Sequence, residues 1–216
     1  MERFIMQDLI AWKNRKDRKP LILLGARQVG KTYILKEFGQ REFENVAYIN
    51  CDNNAMAKDL FASDYNIDRI LLTIGAITGV NIEAGKTLII MDEIQELHRG
   101  LASLKYFCEN AREYHVAVAG SLLGLSLHQG ESYPVGKVNT LEMYPMTFEE
   151  FLWARGFKQR MDLLQHGMWD VVKSLRTLYI QHLREYYLVG GMPEAVNKFI
   201  ETNDANAVRE VQEEII

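Results

Sequence analysis

Residues 23–35 read LLGARQVGKTYIL. An apolar run stops on Gly25, a short turn follows, and Lys31 and Thr32 open what reads as a helix. Gly25, Ala26, Arg27, Gln28, Val29, Gly30, Lys31 and Thr32 match the pattern G-x-x-x-x-G-K-[ST], in the strand-before, helix-after context the pattern requires. The physical reasons are separable. Glycines let backbone amides turn inward around an anion without a side chain in the way. The helix that follows presents free N–H groups and the positive end of its dipole. Lys31 supplies a mobile positive charge for the β- and γ-phosphates of a nucleotide, and Thr32 a hydroxyl for Mg²⁺. Residues 25–32, with Tyr33 beside them, are therefore the candidate nucleotide-binding set, and Lys31 doubles as a candidate catalytic residue.

A phosphate loop alone does not say what becomes of the phosphate. The second signal is LIIMDEIQ at residues 88–95. Four apolar residues carry a strand to Asp92 and Glu93 at its C-terminal end, which is where ligands sit in open α/β sheets. Asp92 is the second candidate Mg²⁺ ligand after Thr32. Glu93 is placed to polarise an attacking water as a general base, or it is an acid at a strand end in solvent or capping the next helix. The third signal is VAVAGS at residues 116–121. Ser121 can hydrogen-bond the water or the γ-phosphate if its strand neighbours that of Glu93, or it can cap the helix that LLGLSL would begin.

Working outward, residues 2–13 read as an amphipathic helix and 21–25 as a strand buried on both faces. Further strands are expected at 45–50, 87–93, 115–121 and 137–144, with helices at 30–39, 54–62, about 66–80 and 100–113. Strands alternating with helices imply a parallel sheet covered on both sides. The pattern changes near Pro145, after which no strand pattern recurs. Thr147 and Glu150 form a capping-box signature, and helices are expected at 148–155, about 159–188 with a break, 194–201 and 205–216. Gly190 and Gly191 can end one helix and Pro193 begin the next. The expected organisation is an α/β core over residues 1–145, with its N-terminal helix, and a small helical subdomain over 146–216.

The totals fit. The chain has 216 residues, 48% hydrophobic and 25% charged, the composition of an ordinary globular protein. A net charge of -4 gives no global attraction to nucleic acid, so DNA is a possible partner that charge does not support. The basic run from Lys13 to Lys19 reads as a solvated loop. Cys51 and Cys108 have neither metal-ligand spacing nor a disulfide framework. The N-terminus lacks the charged start and apolar core of a signal peptide, and no apolar run approaches the roughly 18 residues of a membrane helix. A soluble, cytoplasmic protein is expected.

GARQVGKT, DEIQ, the GS after the fourth strand, YPMTFEEFL and GGMPEAV together resemble the prokaryotic AAA-type ATPases that carry an N-terminal AAA domain and a C-terminal domain of unknown function. The resemblance covers nearly the whole chain. It implies an AAA-like phosphate-loop NTPase fold, ATP and Mg²⁺ as cofactors, and a strand bearing residues 25–32 beside one bearing Asp92 and Glu93. Many AAA enzymes complete their site from a neighbour, so self-association or a protein partner is expected. Members extend well past the point where this chain stops, so an excised N-terminal fragment is the expectation. Members often have Gly-Arg before the fifth strand where this chain has Gly136-Lys137, and a lysine lacks the planar fork of an arginine. Arg112 and Arg184 are other basic candidates for that role. The resulting expectation is Mg-dependent ATP hydrolysis. A nucleotide-gated binding module with little turnover stands beside it, and a small-molecule kinase behind, since the Asp92-Glu93 pair favours water over an acceptor hydroxyl. Trp12 and the basic loop are expected near the base.

Overall fold

The computed structural model describes residues 1–52, 54–58, 60–61, 64–121 and 134–215, with the side chain of Ser121 outside the described residues. The chain forms two compact units, one of Ile5–Met143 and one of Tyr144–Ile216 together with Met1–Phe4.

In the first unit, α1 (Ile5–Lys13) leads to β1 (Leu21–Gly25), α2 (Lys31–Glu42), β2 (Asn45–Asn50), a single turn α3 (Ala55–Lys58) and α4 (Ile67–Thr78). Then come β3 (Thr87–Asp92), a 3-10 turn (Ile94–Glu96), α5 (Gly100–Asn110), β4 (His115–Ser121) and β5 (Asn139–Met143). The five strands lie in the order β2-β3-β4-β1-β5, every pairing parallel. Strand ends fall within two residues of the expected ones at β5, where the alternation N-terminal to Asn139 does not continue as ladder.

Alternation along the strands sorts the core into two layers. Ile22, Ile89, Met91, Val116 and Val118 pack toward α4 and α5 with Ile70, Ile74, Leu104 and Phe107. Leu21, Leu23, Leu88, Ile90, Ala117 and Ala119 pack toward α1 and α2 with Leu9, Trp12, Ile34 and Phe38. The strands read as near-continuous apolar runs because both faces are covered. Asp92 continues the 88, 90, 92 phase, so it belongs to the face that α2 covers.

The second unit is helical: α6 (Phe148–Ala154), α7 (Lys158–Gln165), α8 (Trp169–Ser174), α9 (Arg176–Val189), α10 (Pro193–Thr202) and α11 (Ala205–Ile215). The break expected within 159–188 falls at Gly167, which is left-handed at φ 64°, and a second one follows at Leu175. The capping box at Thr147 and Glu150 is formed. Glu150 also accepts from the Phe4 amide at 2.7 Å and pairs with Arg3 at 3.1 Å, both side chains buried. This ties residues 1–4 to the helical unit, so the N-terminal helix starts at Ile5 rather than residue 2. Gly191 passes close to Met146, where a Cβ would meet the Met146 carbonyl oxygen at 2.4 Å, and Pro193 opens α10.

Candidate functional site

β1 is a central strand, between β4 and β5, and the loop that leaves its C-terminal end inherits that position. Gly25 pairs with Ser121 on one side and Met143 on the other. A Cβ at Gly25 would stand 2.4 Å from the Met143 carbonyl oxygen and 3.1 Å from Val29 Cγ1, so only glycine fits where the chain leaves the sheet. Val29 is buried and anchors the middle of the loop in the layer beneath α2. Gln28 at φ 61° and Gly30 at φ 97°, ψ 22° are both left-handed, and the turn of alternating backbone hand curls the chain around its own amides. Ala26, Arg27 and Gln28 are exposed. α2 begins at Lys31 with no side-chain cap, and the first N–H groups of a helix find no carbonyl within it.

Lys31 is buried and its ammonium donates to the Gly25 and Ala26 carbonyls at 3.0 and 2.8 Å, across the inside of the loop. Burial pushes its pKa down, opposed by the Glu93 and Asp92 carboxylates. Thr32, on the next residue, donates its hydroxyl to Asp92 Oδ2 at 2.5 Å. Tyr33 is exposed. The sequence-predicted loop and the acidic strand are thus brought together, 60 residues apart in the chain.

Tyr48 was not singled out from the sequence. It donates to Asp92 Oδ2 at 3.2 Å from the neighbouring strand, and Lys36 lies over its ring at 3.5 Å. Burial and the Asp92 charge push the Tyr48 hydroxyl up to about 12, so it remains a donor at neutral pH. Burial first, then the same carboxylates, pushes the Cys51 thiol up to about 12, which leaves it an inert core group. Asp92 is therefore a buried carboxylate with two hydroxyl donors on one oxygen.

Glu93 leaves the strand in the left-handed region, at φ 50° and ψ 47°, a conformation that costs a residue with a Cβ about 1–2 kcal/mol. It is half-buried. Its Oε2 accepts from Gln95 Nε2 at 2.5 Å, a second contact the sequence reading missed. The backbone of Ser121 ends β4 beside Gly25; the role expected of its side chain lies outside the described residues.

Other expectations meet a different geometry. Lys137 precedes β5, whose first residue Asn139 pairs with Leu21 at the start of β1. That is the far end of the strand from Gly25, about 13 Å at about 3.3 Å per residue. Its ammonium is paired with Glu109 at 2.8 Å. Arg112 follows α5 at that same end and donates to the Cys108 carbonyl at 2.6 Å. Trp12 is buried, donates to the Lys19 carbonyl at 2.9 Å and packs edge-on to His115 with ring centroids 6.0 Å apart. His115 opens β4, so Trp12 lies at the end of the strands opposite the loop and is a core residue. Arg184 belongs to the helical unit, on α9 beside Thr177 and Ile180.

The arrangement suits Mg²⁺ in chemistry: a carboxylate and a hydroxyl, both hard oxygen donors, touch each other at the loop. No cluster of three His, Cys, Asp or Glu side chains able to hold a metal occurs among the described residues. Mg²⁺ in nucleotide sites is typically held by one or two protein oxygens together with substrate phosphates.

A parallel sheet of order β2-β3-β4-β1-β5, with a phosphate loop after β1 and paired acids after β3, defines a phosphate-loop NTPase. The profile of the AAA domain family matches residues 17–152, and the chain belongs to that family. An uncharacterised protein of Methanocaldococcus jannaschii is 28% identical over 83% of this chain, and the chain spans 39% of that protein's length. Among solved structures, a variant of Thermotoga maritima RuvB is 20% identical, with 70% of this chain and 47% of that one aligned at a TM-score of 0.46. Aeropyrum pernix Orc1, solved with DNA, is 14% identical, with 98% of this chain and 63% of that one aligned at a TM-score of 0.44. Among the described residues, no helix is long and apolar enough to cross a membrane.

Proposed function

We propose that the chain binds Mg·ATP at residues 25–33 and hydrolyses it, with Glu93 as the base that polarises water. The observation that carries this reading is the junction of loop and acids: Lys31 bridges the loop from inside while Thr32 and Asp92 share a hydrogen bond. In this reading the amides of Gly25 to Thr32 cradle the phosphates and Lys31 moves from the loop carbonyls to phosphate oxygens. Thr32 and Asp92 hold Mg²⁺, and Tyr48 keeps the Asp92 carboxylate oriented. A bound Mg²⁺ would neutralise charge on the β- and γ-phosphates. Glu93 takes a proton from water, and Ser121 is assigned to the same γ-phosphate end. Positioning and electrostatics carry most of such a reaction.

A nucleotide-gated module with slow turnover is the second reading. One observation favours it: Lys137 and Arg112, suggested by the sequence as stand-ins for an arginine finger, belong to the opposite end of the sheet. A protein partner or a second copy would then supply the missing cation. Phosphate release from Mg·ATP, measured with nucleotide affinity on the wild type and Glu93→Gln, tests the choice. Turnover in the wild type and tight binding without turnover in the variant is the expected result. Equal turnover in both removes Glu93 from its role, binding without turnover in either selects the second reading, and failure of both to bind ends the phosphate-loop assignment.

A further inference from the structure

We propose that Gln95 is a positioning residue that grips one oxygen of Glu93, Oε2, and so leaves the other, Oε1, to the attacking water. The inference rests on the reading of Glu93 as the base.

The geometry begins with the backbone. Glu93 adopts a left-handed conformation and the 3-10 turn Ile94–Glu96 follows at once, which brings the side chains two residues apart within reach. That turn is held from both sides. Ile94 and Leu97 are buried in the layer with Leu101 and Leu104. The start of α5 is packed so tightly on the turn that a Cβ at Gly100 would meet the Ile94 carbonyl oxygen at 2.9 Å and Leu97 Cβ at 3.0 Å. The base of the Gln95 side chain is therefore fixed by the core.

The side chain itself is committed to one partner. Gln95 is only 7% exposed, and its Nε2 donates to Glu93 Oε2 at 2.5 Å. The amide cannot be turned over, because its oxygen would then face a carboxylate oxygen and no donor would join them. Its own Oε1 is buried and has no hydrogen-bond partner among the described residues. An apolar side chain of the same length would pack there without an orphaned acceptor. The amide is thus a poor choice for packing and a good one for holding a carboxylate. A glutamate has three rotatable bonds; one short hydrogen bond to a single oxygen selects both its rotamer and the oxygen left over. A base must present its lone pair to the water within hydrogen-bond reach, and that is what the grip provides.

Two measurements on the full chain test this. Gln95→Met keeps the length and loses the donor. Its kcat for ATP is expected to fall about ten- to hundredfold with the ATP dissociation constant within about twofold of wild type, and its melting temperature is not lowered. The second measurement needs no turnover. The side-chain amide resonances of Gln95 in the wild type should include one Nε2 proton shifted downfield and slow to exchange, and Glu93→Ala should return it to the ordinary range. An unchanged kcat in Gln95→Met overturns the inference, as does a Gln95 amide spectrum indifferent to Glu93→Ala. Wild-type turnover that ignores Glu93→Gln defeats the parent reading instead, and the two failures are separately visible.

Discussion

Gly25→Ala is the perturbation that the loop should tolerate least. The added methyl carbon would lie 2.4 Å from the Met143 carbonyl oxygen and 3.1 Å from Val29 Cγ1. An unstrained carbon–oxygen contact needs about 3.3 Å, so β1 and β5 must part, or the loop must lift, by roughly 1 Å. Neither side yields easily, because Gly25 and Met143 are paired in the sheet and Val29 is buried. Overpacking of this kind costs about 1–3 kcal/mol. The larger effect is on the ligand. A loop displaced by about 1 Å misaligns its amides with phosphate, and each hydrogen bond to a charged group contributes about 1.5–3 kcal/mol. Loss of one such bond raises the ATP dissociation constant about ten- to hundredfold. Urea unfolding and titration with a fluorescent ATP analogue read the two effects on one sample. Gly136→Ala is the control: it is left-handed at φ +72° with nothing within 4 Å of an added Cβ, so it should cost about 1–2 kcal/mol of stability with no change in affinity. A Gly25→Ala protein that binds ATP as the wild type does would refute the steric argument.

Three further outcomes are expected. Thr32→Val removes the donor 2.5 Å from buried Asp92; unfolding free energy should fall by about 1.5–3 kcal/mol, and Mg²⁺ should no longer improve ATP affinity in titrations with and without the metal. Trp12→Ala should cost about 3–5 kcal/mol by urea unfolding yet leave ATP affinity unchanged at temperatures where the variant is folded, because Trp12 packs at the end of the strands opposite the loop. His115 is held down from 6.5 to about 4, first by burial and then by the Arg18 and Lys13 charges. Between those two values the unfolded chain binds the extra proton, so stability falls as pH drops from 6.5 toward 4. At pH 5 the loss is about 2 kcal/mol relative to pH 7, and His115→Gln should remove that part of the slope in unfolding measured at the two pH values.

What the sequence made legible was local. The strand–loop–helix at Leu21–Glu42 and the apolar run into Asp92 are fixed by hydrophobic spacing and by glycines, and the structure forms both. The capping box at Thr147 and the Gly-Gly-Met-Pro punctuation are local in the same sense. Most of what escaped depends on pairings distant in sequence, and the Gln95–Glu93 contact, though local, depends on an unusual backbone turn. Tyr48 reaches Asp92 only because β2 lies beside β3 in a register that sets Asn50 against Asp92. Gln95 meets Glu93 because an acid, not a glycine, takes the left-handed turn after β3, and composition gives no warning of that. Arg3 joins the helical unit through a partner 147 positions away, Glu150. The displacement of Lys137 and Trp12 from the loop follows from the parallel direction of β5 and β4: residues before a strand lie at the end away from the ligand. A break within 159–188 is expected and the left-handed Gly167 supplies it; the second interruption, at Leu175, has no glycine or proline to announce it.

The central claim is that this site delivers water to the γ-phosphate of ATP. Hydrolysis carried out in ¹⁸O-enriched water, with the released phosphate analysed by mass, tests it most directly. The account predicts that the wild type releases inorganic phosphate carrying one oxygen from the solvent and that Glu93→Gln releases almost none. Phosphate that leaves ATP on an acceptor molecule without solvent oxygen, or no cleavage at all by a chain that binds Mg·ATP, would contradict it.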